Sequence, residues 1–337
     1  MSNFQKNNYD NNELLIVNTE NKLNINSIDR DWYNNSNTSP FDFSVTLGGT
    51  NTDSFSVTNG NFKNVSSISL DKIVTSNRYF DYNYHSNTHV RINDNPYIIT
   101  NIKNLEYSSK GTNKNLDNTL GIFMPLTPLS TNISDVKNLE FRNISKQSKI
   151  FNPIPLSHLS ELEIELKDSC GNIFPSNDVL EVKGIFSSNN VPASLTKNDY
   201  LIVETKTYFT SNEFDIKDKI KFNNFEYHDM SYDESYQFNN FINRQTGHYI
   251  INISKSNPGT ELYNQIYIQF PANNSRYTGN LDVEGWYGSF IFKSLSDTLV
   301  NSTSGKLINV NRQTNLLFTI NTKNYETKKI NENLNLN

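Results

Sequence analysis

The chain contains five histidines, and two of them, His85 and His89, are four residues apart. On a helix this spacing places two imidazoles on one face, as in the zinc proteases with a His-Glu-x-x-His motif. No glutamate follows His85, and the surrounding Asp, Asn, Tyr and Ser residues do not have a helical pattern. The other three, His158, His228 and His248, are scattered along the sequence. We therefore expect polar loop histidines, with no metal site and no cofactor.

Three carboxylates, Glu161, Glu163 and Glu165, alternate with apolar residues and so share one face of a predicted strand. Glycosidases need two carboxylates facing each other across a cleft, which a single strand face does not provide. This pattern is more typical of a solvated strand edge or of a surface that meets a basic partner. The sequence also lacks a Gly-x-Ser-x-Gly segment and the glycine-rich phosphate loops. We expect no enzymatic activity.

Asp29, Arg30 and Trp32 form the first candidate interaction cluster. An Arg–Asp pair beside a tryptophan can clamp an N-terminal arm, either onto its own domain or onto a neighbouring subunit. The alternative is a brace within the chain at the start of a strand. The sequence leaves both open.

Asn243, Arg244 and His248 form the second candidate cluster, which includes Gly247. These residues are either an interaction site or a tight turn. In the turn, the glycine has a positive φ and the polar side chains cap the backbone.

The composition limits the class of protein. The 337 residues carry a net charge of -5, which argues against direct nucleic-acid binding. Hydrophobic residues make up only 35%, but aromatics make up 12%, which is enough to build a core. The single cysteine, Cys170, excludes a disulfide framework within one chain. The first residues do not read as a signal peptide, and we expect no transmembrane segment.

Apolar residues recur with a period of two rather than 3.6, as in the run from Phe41 to Leu47. We predict an all-β protein with two jelly-roll domains in tandem, each an antiparallel β-sandwich or barrel, and polar tails. A short helix is expected only within 229–244. The predicted divisions are a polar N-terminal arm (1–26), a first jelly-roll domain (27–188), a linker (189–198), a second jelly-roll domain (199–322) and a flexible C-terminal tail (323–337).

Several segments together resemble a known family. They are Ser27-Ile-Asp-Arg-Asp-Trp32 followed by Phe41–Leu47, then Val65–Val74, Pro96–Ile99, Leu159–Asn172, Asn240–Tyr249 and Leu307–Ile320. Their order is similar to that of jelly-roll minor capsid proteins of large nucleocytoplasmic DNA viruses, and the Asn-rich composition resembles that of several giant viruses. The entry segment is one residue shorter than the usual form.

This resemblance implies a structural role in an icosahedral virus shell. The expected partners are the major capsid protein and other minor capsid proteins, with a homo-oligomer as a further option. The expected location is the capsid of the virion, assembled in the host cytoplasm. The polar tails would then become ordered on neighbouring subunits.

Two other functions stay open at the level of sequence. The first is a carbohydrate-binding adhesin or lectin-like module on the virion surface, in which exposed aromatics stack on sugars. Its candidate residues lie in predicted polar loops: Tyr82, Tyr84, Tyr232 and Tyr236. The second is a polysaccharide lyase or hydrolase on a jelly-roll scaffold, for which no residue pattern assembles a site.

Overall fold

A computed structural model describes residues 13–35, 38–48, 62–77, 79–83, 88–105, 111–117, 119–126, 138–143, 148–186, 200–226, 232–256, 259, 262–269, 300–301 and 305–328. The first eleven strands are β1 (Glu13–Asn26), β2 (Asp42–Thr46), β3 (Phe62–Ser76), β4 (Tyr79–Asn83), β5 (Thr88–Arg91), β6 (Ile98–Ile102), β7 (Gly121–Pro125), β8 (Asn138–Asn143), β9 (Lys149–Ile150), β10 (Leu156–Leu159) and β11 (Glu161–Lys167). The others are β12 (Val179–Phe186), β13 (Tyr200–Phe209), β14 (Lys219–Asn223), β15 (His248–Ser254), β16 (Tyr263–Gln269), β17 (Val300–Asn301), β18 (Lys306–Asn309) and β19 (Asn315–Lys328).

The predicted all-β class is confirmed, and the antiparallel sheets are consistent with jelly-roll-like domains. Strand β11 shows why these segments are strands. Its Leu162, Ile164 and Leu166 are fully buried, while the glutamates between them remain partly exposed. Only a period of two sorts the side chains in this way. A helix, α1 (Tyr232–Ile242), lies between β14 and β15, within the range predicted for it.

The first sheet has ten strands and curls around its own core. Its strand order is β1-β19-β3-β8-β7-β6-β11-β2, and β9 and β10 also pair with β3. In the described part of the chain, β1 and β2 each pair on one side only and form the two edges of this sheet.

The second sheet closes on itself. Its order is β13-β16-β15-β14-β18-β12, and β12 pairs back to β13, so six strands form a closed ring; β17 extends the ladder of β18 along β12. A separate apolar core fills this region, and α1 contributes Phe238, Phe241 and Ile242 to it. Because the ring is closed, each of these six strands has a neighbouring strand on both sides, and the ring has no open edge.

The structure revises the predicted domain divisions. Residues 13–26 of the expected polar arm form β1, and 323–328 of the expected tail continue β19; these two strands pair along their full lengths. Residues 315–322 join β1 and β3 in the first sheet instead of completing a second domain. Strand β12, assigned to residues 27–188 of the first domain, belongs to the ring. The predicted linker, 189–198, lies outside the described residues.

The physical reason is that a polar composition does not distinguish an edge strand from an unstructured tail. Strand β1 has polar residues on both faces between residues 18 and 22, because one face is exposed and the other is only half-buried there. Its backbone is satisfied by residues about 300 positions away, as in the pair Asn26 and Asn315. The second unit is therefore inserted between β11 and β19 of the first.

Candidate functional site

The segment that follows β1 turns inward and brings an arginine into the interior. The side chain of Asn26 accepts a hydrogen bond from the backbone N–H of Ile28 at 3.0 Å and so caps a short 3-10 turn over Ser27–Asp29. Arg30, the next residue, has no exposed surface. A fully buried guanidinium is costly unless every donor is satisfied.

All five N–H donors of Arg30 find acceptors. Its Nη2 donates to both carboxylate oxygens of Asp178, at 2.9 and 2.8 Å. Nη1 donates to the Ser27 carbonyl at 2.7 Å and to Gln313 Oε1 at 2.8 Å, and Nε donates to Thr38 Oγ1 at 3.3 Å. With Asp178 only 2% exposed, this is a fully desolvated ion pair.

Ser27 and Gln313 complete the network. The Gln313 amide nitrogen donates to Asp178 Oδ2 at 2.8 Å and to the Asn309 carbonyl at 2.7 Å. The Ser27 hydroxyl donates to Gln313 Oε1 at 2.7 Å and accepts from the Thr314 N–H at 2.8 Å. Each of these side chains is buried and hydrogen-bonded. Satisfied networks of this kind fix one arrangement of the chain.

This network, called the junction below (Ser27, Arg30, Asp178, Gln313 and Thr314), lies where the chain crosses between the two cores. Asp178 stands between Phe174 of the first core and Leu180 of the second. Gln313 and Thr314 stand on the return path, between β18 of the ring and β19 of the first sheet. One arginine thus holds both crossings together.

The first predicted cluster is therefore used within the chain. The partner of Arg30 is Asp178 rather than the neighbouring Asp29, and Trp32 is buried with 6% of its surface exposed. Asp29 is half-buried; burial raises the pKa of its carboxyl, while a backbone hydrogen bond from Asn26 and the charge of Lys221 act in the opposite direction. The geometry favours the intramolecular brace that the sequence left open.

The Asn243 side chain caps the C-terminal end of α1. Its Nδ2 donates to the Asn239 carbonyl at 2.9 Å and to the Phe225 carbonyl at 2.8 Å, and its Oδ1 accepts from the Phe225 N–H at 3.1 Å. The side chain thus replaces a missing strand partner for Phe225 and fixes the helix against the segment after β14.

The turn from Arg244 to His248 returns the chain to β15. The Arg244 Nε donates to the Gly247 carbonyl at 2.8 Å, and Gly247 has a φ of 68°. A Cβ at this glycine would lie 2.5 Å from the Ile220 carbonyl oxygen, so both conformation and space require glycine. The second predicted cluster therefore contains the tight turn that the sequence offered as one of its two alternatives.

His248 is buried between Phe222 and Phe241. Its Nε2 lies 3.0 Å from the carbonyl oxygens of Phe241 and Ile242, so this nitrogen carries the proton and donates. Nδ1 is buried without a hydrogen-bond partner. Burial, followed by the charge of Arg244, lowers the pKa of His248 to about 3. The imidazole is neutral in the folded protein and is held in one orientation.

The remaining candidates are less informative. Glu165 pairs with Lys103 at 3.1 Å and Lys167 at 2.6 Å. Strand β11 pairs with both β2 and β6, so the solvated strand edge that the sequence suggested for its glutamates is not found. Within the described ranges, no group of His, Cys, Asp and Glu side chains is arranged to hold a metal ion. His85 and Tyr84 lie outside the described residues, and the side chains of His89, Tyr82 and Tyr232 are also not described.

No helix in the part of the chain described here is long and apolar enough to cross a membrane. Comparisons with protein-family models, with curated proteins and with solved structures each found no match to this chain.

The sequence did not reveal Asp178 and Gln313 as partners of Arg30. Asp178 directly precedes β12, a position at which aspartate is common in ordinary turns. Gln313 belongs to Asn311-Arg-Gln-Thr314, a tetrapeptide that also occurs at 243–246. That repeat is a signal that could have drawn attention to both turns, although only Gln313 is buried in the junction and Gln245 is exposed.

Proposed function

We propose that this protein is a structural minor capsid protein that binds the major capsid protein and stabilises an icosahedral virus shell. The observation that supports this role is the junction. The segment Ser27–Trp32, which carries the resemblance to viral minor capsid proteins, contributes two of the network's side chains and locks two β cores to each other.

A shell component must keep a fixed shape while neighbours bind at several places on its surface. Buried ion pairs contribute little net stability but specify geometry, because any other arrangement leaves charges unpaired in the interior. The Arg30–Asp178 pair, with 0% and 2% of the side chains exposed, meets this requirement. A protein that binds many neighbours through modest contacts needs such rigidity more than a deep pocket.

The experiment is quantitative mass spectrometry of purified particles of the virus that encodes the chain, before and after mild surface proteolysis. A high and fixed ratio to the major capsid protein, with the chain protected from protease, supports the role. Absence from the particle, or failure to recover the major capsid protein with the tagged chain from infected cells, refutes it.

A virion-surface adhesin is the second candidate function. Tyr236 on α1 is 59% exposed, and exposed tyrosines are suitable platforms for sugar rings. A few protease-accessible copies per particle together with binding on a glycan array would favour this function. The matched variant is Tyr236→Ser, which should abolish the glycan signal if this residue is the platform. A blank array with the wild-type chain removes this candidate.

A further inference from the structure

Strand β1 is a long edge strand whose outer side has no partner in the described part of the protein. Its inner side pairs with β19 over all fourteen residues. An edge of this length is a template for adding another strand. The sequence of the strand indicates which strand it accepts.

The backbone N–H and C=O groups of successive residues in β1 point alternately to the two sides of the strand. The Ser27 N–H donates to the Thr314 carbonyl at 2.8 Å, in register with the β1–β19 ladder, so the odd-numbered residues point their N–H and C=O groups toward β19. The even-numbered residues therefore point theirs to the open side. Among these, Asn18, Glu20, Lys22 and Asn24 are exposed.

We infer that β1 pairs antiparallel with β1 of a second copy, about a two-fold axis at Asn21. In this register each Glu20 lies opposite Lys22 of the other copy, and each Asn18 lies opposite Asn24. The exposed side chains between residues 18 and 24 are then complementary, and on the order of eight backbone hydrogen bonds join the strands over this stretch.

Neighbouring registers are disfavoured by charge. A shift of the two-fold axis to residue 20 places the two Glu20 side chains opposite each other, and a shift to residue 22 does the same for the two Lys22 side chains. Like charges that are directly opposed destabilise a strand pair. Lys22 is held on this face by Glu20 at 3.0 Å and Asp71 at 3.3 Å, and Glu20 is 60% exposed. Of the three registers centred on residues 20, 21 and 22, only the one centred on Asn21 places opposite charges against each other.

The test is the oligomeric state of the full chain, measured by sedimentation velocity from about 1 to 200 μM, because two strand edges bury a small area and associate weakly. Glu20→Lys should weaken the dimer about tenfold, since both symmetry-related pairs become repulsive. The exchange of both charges, Glu20→Lys with Lys22→Glu, should restore the wild-type dissociation constant within about threefold. Glu161→Lys, on β11 next to the other edge of the sheet, is the control with the same change of charge and should have no effect.

A proline substitution tests the backbone directly. Asn24→Pro removes an N–H that points to the open side, so the pairing with β19 is retained while the dimer should weaken at least tenfold. Ser44→Pro is the matched control, because Ser44 is an exposed residue of edge strand β2 whose N–H also points outward. Circular dichroism and thermal melting confirm that each variant is folded.

Three results would overturn the inference. They are a wild-type chain that stays monomeric over the whole range, a dimer that tolerates Asn24→Pro in its folded form, and a dimer that is lost in Glu161→Lys or Ser44→Pro instead. The inference concerns this chain alone, so it can fail while the proposed shell role holds, and the reverse is equally possible.

Discussion

Removing the negative charge of the junction should destabilise the whole protein. Asp178→Asn keeps the shape of the side chain but leaves the Arg30 guanidinium buried without a counterion. Breaking a buried pair in this way typically costs about 3–5 kcal/mol. Since the two side chains are 0% and 2% exposed, solvent screens none of this cost. One acceptor oxygen survives in the amide, so we expect a value near the lower end, about 3 kcal/mol.

Urea unfolding measures this loss of free energy. Trp32 is buried beside the junction segment, so in a Trp286→Phe background its fluorescence reports on this region, while far-ultraviolet circular dichroism reports on both sheets. The control is Glu140→Gln, which removes the charge of a partly exposed pair whose Nζ–Oε distance to Lys72 is 2.6 Å. Exposed pairs contribute about 1 kcal/mol or less, so the control should remain close to the wild type.

The double variant Arg30→Met with Asp178→Asn separates charge from packing. It removes both ions, so it should be more stable than Asp178→Asn alone, although Ser27 and Gln313 lose an interaction partner. The reasoning is refuted if Asp178→Asn unfolds within about 1 kcal/mol of the wild type, which is the range expected for an exposed pair. It is also refuted if the double variant is the less stable of the two.

Three further predictions concern the region around α1. The pKa of His248 is about 6.5 in the unfolded chain and about 3 in the folded protein, so the free energy of unfolding should fall by about 2 kcal/mol between pH 7 and pH 5. Urea unfolding of His248→Gln at both pH values should show a smaller fall. An unchanged fall would contradict the conclusion that His248 is buried as a neutral imidazole. Asn243→Ala should cost about 1–3 kcal/mol by leaving the Phe225 backbone unsatisfied, whereas the exposed Gln245→Ala should be close to neutral in the same assay. Gly247→Ala should lower the melting temperature by at least about 5 °C because its Cβ meets the Ile220 carbonyl, and a wild-type melting curve would refute this.

The periodicity of apolar residues was sufficient to predict those strands and helices that bury one face. The strict alternation from Glu161 to Lys167 and from Phe41 to Leu47 predicted β11 and β2, and α1 formed inside the range 229–244. These elements sort apolar from polar side chains by their own periodicity, so the sequence of a short window is enough.

Strand pairing between residues far apart in the sequence could not be predicted from a short window. The residues Asn18 to Lys22 contain no apolar side chain that marks a buried face, and their strand exists because β19 satisfies its backbone. The partner of Arg30 is likewise 148 residues away in sequence. The sequence identified Arg30 as a residue with an interaction to explain, but it contained no information on which carboxylate would meet it.

The junction and the open edge of β1 belong to one continuous segment, and this connects the two proposals. Strand β1 leads without interruption into Ser27, whose backbone N–H continues the ladder with Thr314 and whose hydroxyl enters the network of Arg30. A second copy that binds along β1 therefore docks against a strand whose last residue is fixed to both cores. Arg30 binds both Asp178 and Gln313, where the chain passes between the two cores. A pairing at the edge of the first sheet therefore also determines the orientation of the second unit in the pair. If both proposals hold, that relation fixes the angle between two paired copies, and a weakened junction such as Asp178→Asn should widen the range of that angle even where the strand pairing survives.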